Sequence, residues 1–144
     1  MKLIERFFAK LRRDGFVATM ITVAYVLRMF KHRMARKQIL KLDTLQQRFS
    51  EIYAKNSWSS KESGSGEGSE IEYTERLRSW LINAIPKYGV NRFVDVPCGD
   101  FNWMKLVVPK LDIEYFGFDI VDSVIEKNKE QYESKKAHFD VESL

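Results

Sequence analysis

Two short apolar runs, each closing on an aspartate, constrain the fold of this chain more than any other feature. The first is Arg92-Phe93-Val94-Asp95-Val96, followed by the turn Pro97-Cys98-Gly99-Asp100; the second is Tyr115-Phe116-Gly117-Phe118-Asp119. Runs of this length, rich in aromatic and β-branched residues and bounded by Gly, Pro and Asp, read as strands. Helix-like stretches separate them. From residue 70 the order is helix 70–85, strand 91–96, helix 102–108, strand 113–120, helix 122–134 and strand 137–141. Such alternation predicts right-handed crossovers and a parallel sheet. The expected fold class is α/β: a Rossmann-like parallel sheet, first three strands only, preceded by an N-terminal helical extension. Ser69-Glu70-Ile71-Glu72 has capping-box spacing and marks the start of the first of these helices. Its buried side would carry Tyr73, Leu77, Trp80, Leu81 and Ala84, and Pro86 and Gly89 would end it.

The 144 residues divide unevenly in charge. Residues 1–48 hold 12 Lys/Arg against 3 Asp/Glu, and residues 49–144 hold 12 against 17. The basic part suits an anionic partner and the acidic part does not. Nucleic acid is therefore a poor ligand for the α/β unit itself. Three regions are expected: residues 1–55 as a basic helical extension, 56–69 as a Ser/Gly loop and 70–144 as the partial α/β domain. Within the first, Leu3, Ile4, Phe7, Phe8 and Leu11 share a helical face, with Lys2, Arg6, Lys10, Arg12 and Arg13 around it. Gly15 interrupts that helix, residues 16–30 are apolar almost all round, and residues 38–53 are helical again with Leu42, Leu45, Phe49 and Ile52 on one stripe. Two readings stand. One is peripheral contact with an anionic membrane through residues 1–48; the other is an extension packed on the domain with a solvated basic face. The uncharged run from Gly15 to Leu27 has 13 residues, against the roughly 18 or more of a membrane span. The lone Cys98 cannot form an internal disulfide, which points to a reducing, cytoplasmic setting. The Ser/Gly loop reads equally as a flexible linker or as a lid, with Trp58 arguing against a pure linker.

In an open parallel sheet, ligands bind beyond the carboxyl ends of the strands. Asp95, Asp119 and Asp140 stand at three successive strand ends. Gly99 permits close backbone approach, because a Cβ would intrude. Asp119 lies 20 residues beyond Gly99, the distance at which a carboxylate accepts from ribose hydroxyls in nucleotide-binding α/β units. Asp140 is suited to accept from an adenine amino group. Taken singly, an aspartate at a strand end is more often a helix cap or turn residue than a ligand contact, and the three support one another only together; Asp122, before an apolar helix, reads as a cap only. Cys98 reads as a small buried hydrophobe, and Phe101 and Trp103 as core aromatics. His32 and His138 form no constellation, no metal site is legible and no catalytic residue is assigned.

Val94-Asp95-Val96-Pro97-Cys98-Gly99-Asp100-Phe101, with Phe116-Gly117-Phe118-Asp119-Ile120, resembles the first two motifs of class I S-adenosylmethionine-dependent methyltransferases. The usual first motif is an acidic residue followed by glycines at alternate positions. Asp95 and Gly99 match it, while Pro97 and Phe101 replace two glycines. The variant Asp-x-Pro-Cys-Gly-Asp, with a Gly/Ser loop and helix upstream, resembles a subgroup of that family, and the resemblance covers about residues 51–144. The resemblance implies S-adenosyl-L-methionine as cofactor. Asp95, Pro97, Cys98 and Gly99 would lie by its methionyl end, Asp119 with Ile120 by the ribose, and Asp140 with Val141 by the adenine.

A dinucleotide fold instead needs a glycine turn whose amides cradle pyrophosphate at a helix N-terminus. Here Pro97 removes an amide and Asp100 adds negative charge, which favours a sulfonium cofactor without phosphate. Two alternatives remain beside the methyltransferase: a nucleotide-linked oxidoreductase fragment, and a non-catalytic membrane-surface or partner-binding module on a degenerate cofactor fold. The methyl acceptor is not legible. The family resembles a seven-stranded sheet whose later strands supply acceptor contacts, so a missing C-terminal half or a second polypeptide is expected.

Overall fold

The structure, a computed structural model, describes residues 2–142, without the side chains of residues 2–4, 7, 32 and 36. The amphipathic face assigned to residues 1–13, and the reading of His32, rest in part on side chains outside the described residues. The chain forms two compact units, residues 1–41 and 42–144.

The first unit is one long helix, α1 (Lys2–Ile39), broken in its geometry at Gly15, whose φ of 79° and ψ of 169° lie outside the helical region. The expected interruption is there, and helical structure resumes directly after it. Among the described residues, no helix is long and apolar enough to cross a membrane.

The second unit opens with α2 (Leu45–Ala54). The sequence reading placed residues 42–55 with the extension, but they belong to this unit. Thr44 starts α2 through a full capping box: its Oγ1 accepts from Gln47 N at 3.1 Å, and the Gln47 side chain accepts from Thr44 N at 3.4 Å. After the Ser/Gly loop come α3 (Glu75–Lys87), β1 (Arg92–Asp95), β2 (Glu114–Asp119), α4 (Asp122–Tyr132) and β3 (Ala137–Val141). The strands pair in parallel in the order β1-β2-β3, with Phe93 opposite Tyr115 and Tyr115 opposite Ala137. The expected α/β class and three-stranded parallel sheet are therefore present.

One sheet face makes the core. Tyr115, fully buried, stacks on Phe93 and meets Phe101 and Phe139 with ring centroids 5.1 and 5.7 Å away. Leu81 and Ile85 of α3, Met104, Val107 and Ile125 of α4 complete the cluster. Burial of such side chains contributes about 1.5–3 kcal/mol each. On the alternate face Val94 is 62% exposed, and Phe116 rests on His138.

Two helix expectations need correction. The stretch 102–108 forms short 3-10 turns at Met104–Leu106 and Val108–Lys110. Pro109 supplies no amide donor to carry an α-helix onward, and Phe101 has a left-handed φ of 55°. The helix expected from Ser69 begins at Glu75. A tertiary bond competes with the expected start: Ser69 O, which would accept the first intrahelical bond, accepts from Asn102 Nδ2 instead. Helix α3 buries Leu81 and Ala84 as expected, together with Ile85, while Tyr73, which precedes it, and Leu77 and Trp80 are exposed. Pro86 lies inside the helix instead of ending it.

Candidate functional site

The site is the rim formed by the carboxyl ends of the three strands. At the β1 tip the chain turns through a cis Val96–Pro97 peptide to Cys98 and Gly99. Asp119, at the end of β2, fixes this turn. Its Oδ2 accepts from Gly99 N and its Oδ1 from Val121 N, both at 3.0 Å, and the residue is 4% exposed. Asn128 of α4 donates to Gly99 O at 2.8 Å. Each Asp119 oxygen thus holds one backbone amide and keeps one further acceptor direction.

Asp95 is half-buried and accepts from Tyr115 Oη at 2.8 Å. Burial pushes its carboxyl above the ordinary range, the Tyr115 bond opposes that shift, and Asp119 adds to it. Tyr115 is held protonated by burial and by Asp95. Cys98 lies buried beneath the turn, its thiol pushed up to about 12 by burial and by Asp119 and Asp95. A thiol so placed is a packing group and not a nucleophile. The structure therefore brings Asp95, Cys98, Gly99 and Asp119 together, with Pro97 exposed at the bend. Asp140 stands apart. It is exposed, accepts from Val141 N at 3.0 Å and pairs with Lys129 at 3.3 Å; those bonds hold its carboxyl below the usual value. Asp122 is the first residue of α4, not its cap, and accepts from Gln46 Nε2 at 2.8 Å.

The Ser/Gly loop closes over the β1 turn. Asp100 accepts from Ser63 Oγ at 2.9 Å, from Gly64 N at 2.7 Å and from Ser65 Oγ at 3.0 Å. Asp100 N donates to Ser65 Oγ at 3.1 Å. Ser65 has one hydroxyl proton, and Asp100 receives it; the 2.8 Å contact with Tyr53 Oη therefore has Tyr53 as donor. Below this clasp Glu62 accepts from Asn102 Nδ2 and Ile71 N, bonds that hold its carboxyl low. Trp58 seats the other side of the loop on the rings of Tyr53 and Phe49. The loop is thus neither a free linker nor an open lid. A Cβ at Gly99 would meet Ser65 Oγ at 2.3 Å, so the close approach permitted there is made by the protein's own loop.

At the other end of the rim a cavity of about 500 Å³ opens between Ile120, Val141 and Glu142 at the strand tips and Thr44, Leu45 and Gln46 at the start of α2. That size falls in the range of small-molecule sites. Ile120 and Val141 are its apolar walls. Sequence reasoning missed the α2 wall, although Thr44-Leu45-Gln46-Gln47 has the spacing of a capping box. It also missed the clasp, for which Asp100 gave no local signal.

The amides of the β1 turn bear directly on ligand class. Cys98 N donates to Phe118 O, Gly99 N to Asp119, Asp100 N to Ser65 Oγ and Asn102 N to Asp100 Oδ1. Each is matched inside the protein, and the turn runs into 3-10 turns of three residues, not an α-helix. Among the described residues, no group of three or more His, Cys, Asp or Glu side chains gathers where a metal ion could be held. No protein-family model, characterised protein or solved structure matches the chain.

Proposed function

We propose that residues 42–144 form the cofactor-binding portion of an S-adenosylmethionine-dependent methyltransferase. The observation that carries this reading is the internal engagement of the Cys98, Gly99 and Asp100 amides at the β1 turn. A dinucleotide's pyrophosphate needs a row of free amide donors at a helix N-terminus, and here these three amides are already engaged and the turn leads into a 3-10 turn of three residues. An adenosyl ligand without phosphate needs only the remaining features of the rim: apolar walls for a purine, and carboxylate acceptors for hydroxyl or amino groups. The oxidoreductase alternative is correspondingly weakened.

On this reading Ile120 and Val141 sandwich the base from the strand side, and Thr44–Gln46 close the cavity from α2. Asp119 receives a ribose hydroxyl on an acceptor direction left over from Gly99 and Val121. Asp95 and the clasped turn shape the methionyl end. Bound there, the cofactor supplies a methyl group on a sulfonium for in-line displacement by an acceptor. This chain's contribution is to hold and orient; the acceptor class is left open.

Calorimetry of the chain with S-adenosylhomocysteine and, separately, with NAD tests the proposal. We expect a saturable signal with the first and none with the second, and loss of that signal in Val141→Trp, which fills the cavity from an exposed position. Binding of NAD alone, or of neither ligand, would overturn it.

A further inference from the structure

We infer that α1 lies along the surface of an anionic phospholipid bilayer. This is independent of the cofactor reading, because it rests on residues 2–39 alone. Past the break at Gly15, the side chains of Phe16, Val17, Ile21, Tyr25, Val26 and Phe30 are all more than half exposed. At 100° per residue they point to every side of the helix, not to one stripe. Polarity here changes along the axis instead. Lys10, Arg12 and Arg13 precede the apolar stretch, and Arg28, Lys31 and Arg33 follow it. Asp14, one of only two acids in residues 1–41, is already paired with Lys10 and Arg13.

Length decides how such an element meets a membrane. The 13 uncharged residues from Gly15 to Leu27 rise about 20 Å as a helix, while the hydrocarbon core is about 30 Å thick. A steep insertion would bury one cationic flank in hydrocarbon. Lying in the plane just beneath the headgroups covers the apolar middle on every side, while long Lys and Arg stems at both ends reach up to the phosphates. The bend at Gly15 lets residues 2–14 follow the surface in a direction of their own.

Chemistry selects this occupant over two others. A polyanion such as RNA would match the cations and leave the apolar ring in water. An apolar protein groove would match the ring but has no need of cations at both ends. Anionic lipid satisfies both features at once, and Lys or Arg near such a surface contributes on the order of 1 kcal/mol each.

The test is co-sedimentation of the full chain with phosphatidylcholine vesicles, with and without phosphatidylglycerol. We expect pelleting with the anionic vesicles and little with the neutral ones. The triple change Arg28→Gln, Lys31→Gln, Arg33→Gln should weaken binding on the order of a hundredfold, and Ile21→Glu by about tenfold. All three tryptophans, Trp58, Trp80 and Trp103, lie in the second unit, so their unchanged emission certifies that the domain stays folded in each variant. Equal pelleting with both vesicle types, none with either, or an Ile21→Glu variant that binds anionic vesicles as well as the parent does would each overturn the inference. The last result would mean that charge alone holds the helix to the vesicle, with no insertion of its apolar ring.

Discussion

The two ends of the strand-tip rim are built on opposite plans. At the β1 end each amide of the Cys98–Asp100 turn has an internal partner, and three groups from the Ser/Gly loop converge on one carboxylate. At the β2–β3 end the tips of Ile120, Val141 and Glu142 face a cavity across from α2, and Asp140 meets solvent. The first arrangement trades open donors for rigidity, and the second keeps space. On the proposed reading, a rim built this way would fix the backbone by the methionyl end of the cofactor and leave room for the base at the other.

The comparison breaks most sharply at Asp100. Asp100→Ala would leave Ser63 Oγ, Gly64 N and Ser65 Oγ without their common acceptor. We expect a stability loss of about 2–4 kcal/mol, read by urea denaturation. A loss under about 0.5 kcal/mol would mean that the loop is not held by this carboxylate. Gly99→Ala follows, at about 2–3 kcal/mol, because the new Cβ meets Ser65 Oγ and the φ of 58° disfavours a side chain. Ser65→Gly by itself removes the bonds of Ser65 Oγ to Asp100 and Tyr53, so the collision is read from a double-mutant cycle: in the Ser65→Gly background Gly99→Ala should cost only about 1 kcal/mol, the backbone part. If Gly99→Ala costs as much in that background as in the parent, the two residues do not meet.

A smaller effect concerns pH. The Asp95 carboxyl is raised above its unfolded value by burial. The folded state therefore binds the proton more tightly, and stability falls as pH climbs. This contribution is fully present below the unfolded value of 3.8 and is lost as pH rises through the higher folded value. Asp95→Asn, whose amide oxygen can still accept from Tyr115, should lack that decline in a series of denaturation curves. Identical pH slopes for the two proteins would contradict it. The smallest change is expected at the open end. Asp140→Asn should leave the unfolding midpoint where it is and weaken S-adenosylhomocysteine by about threefold. A shift of the midpoint would mean that the strand tip is as tightly braced as the clasp.

How legible all this was in the sequence varied with the range of the forces involved. The three strands were readable because aromatic and β-branched residues cluster between turn formers, and their observed limits differ from expectation by one residue or none. The juxtaposition of Gly99 and Asp119 followed from the parallel register that the alternation implied. What composition hid was long-range. Ser63, Gly64 and Ser65 look like a spacer until a carboxylate 35 to 37 residues away supplies an acceptor. Ser69 to Glu72 looked like a helix start until Asn102, 33 residues away, claimed the Ser69 carbonyl. The α3 stripe was legible in part: Leu81 and Ala84 are buried as expected, whereas Tyr73 precedes the helix, and Leu77 and Trp80 are exposed. A local pattern ranks the conformations a segment prefers on its own, and the distant partner then chooses among them.

The thiol of Cys98 turns this architecture into its own gauge. It is the chain's sole cysteine, sealed under the β1 turn and held protonated to about pH 12. It therefore resists alkylation for as long as the turn stays shut. The rate at which iodoacetamide labels the native protein then counts how often the clasp lets go. Asp100→Ala should quicken that clock, and an adenosyl ligand seated against the turn should slow it.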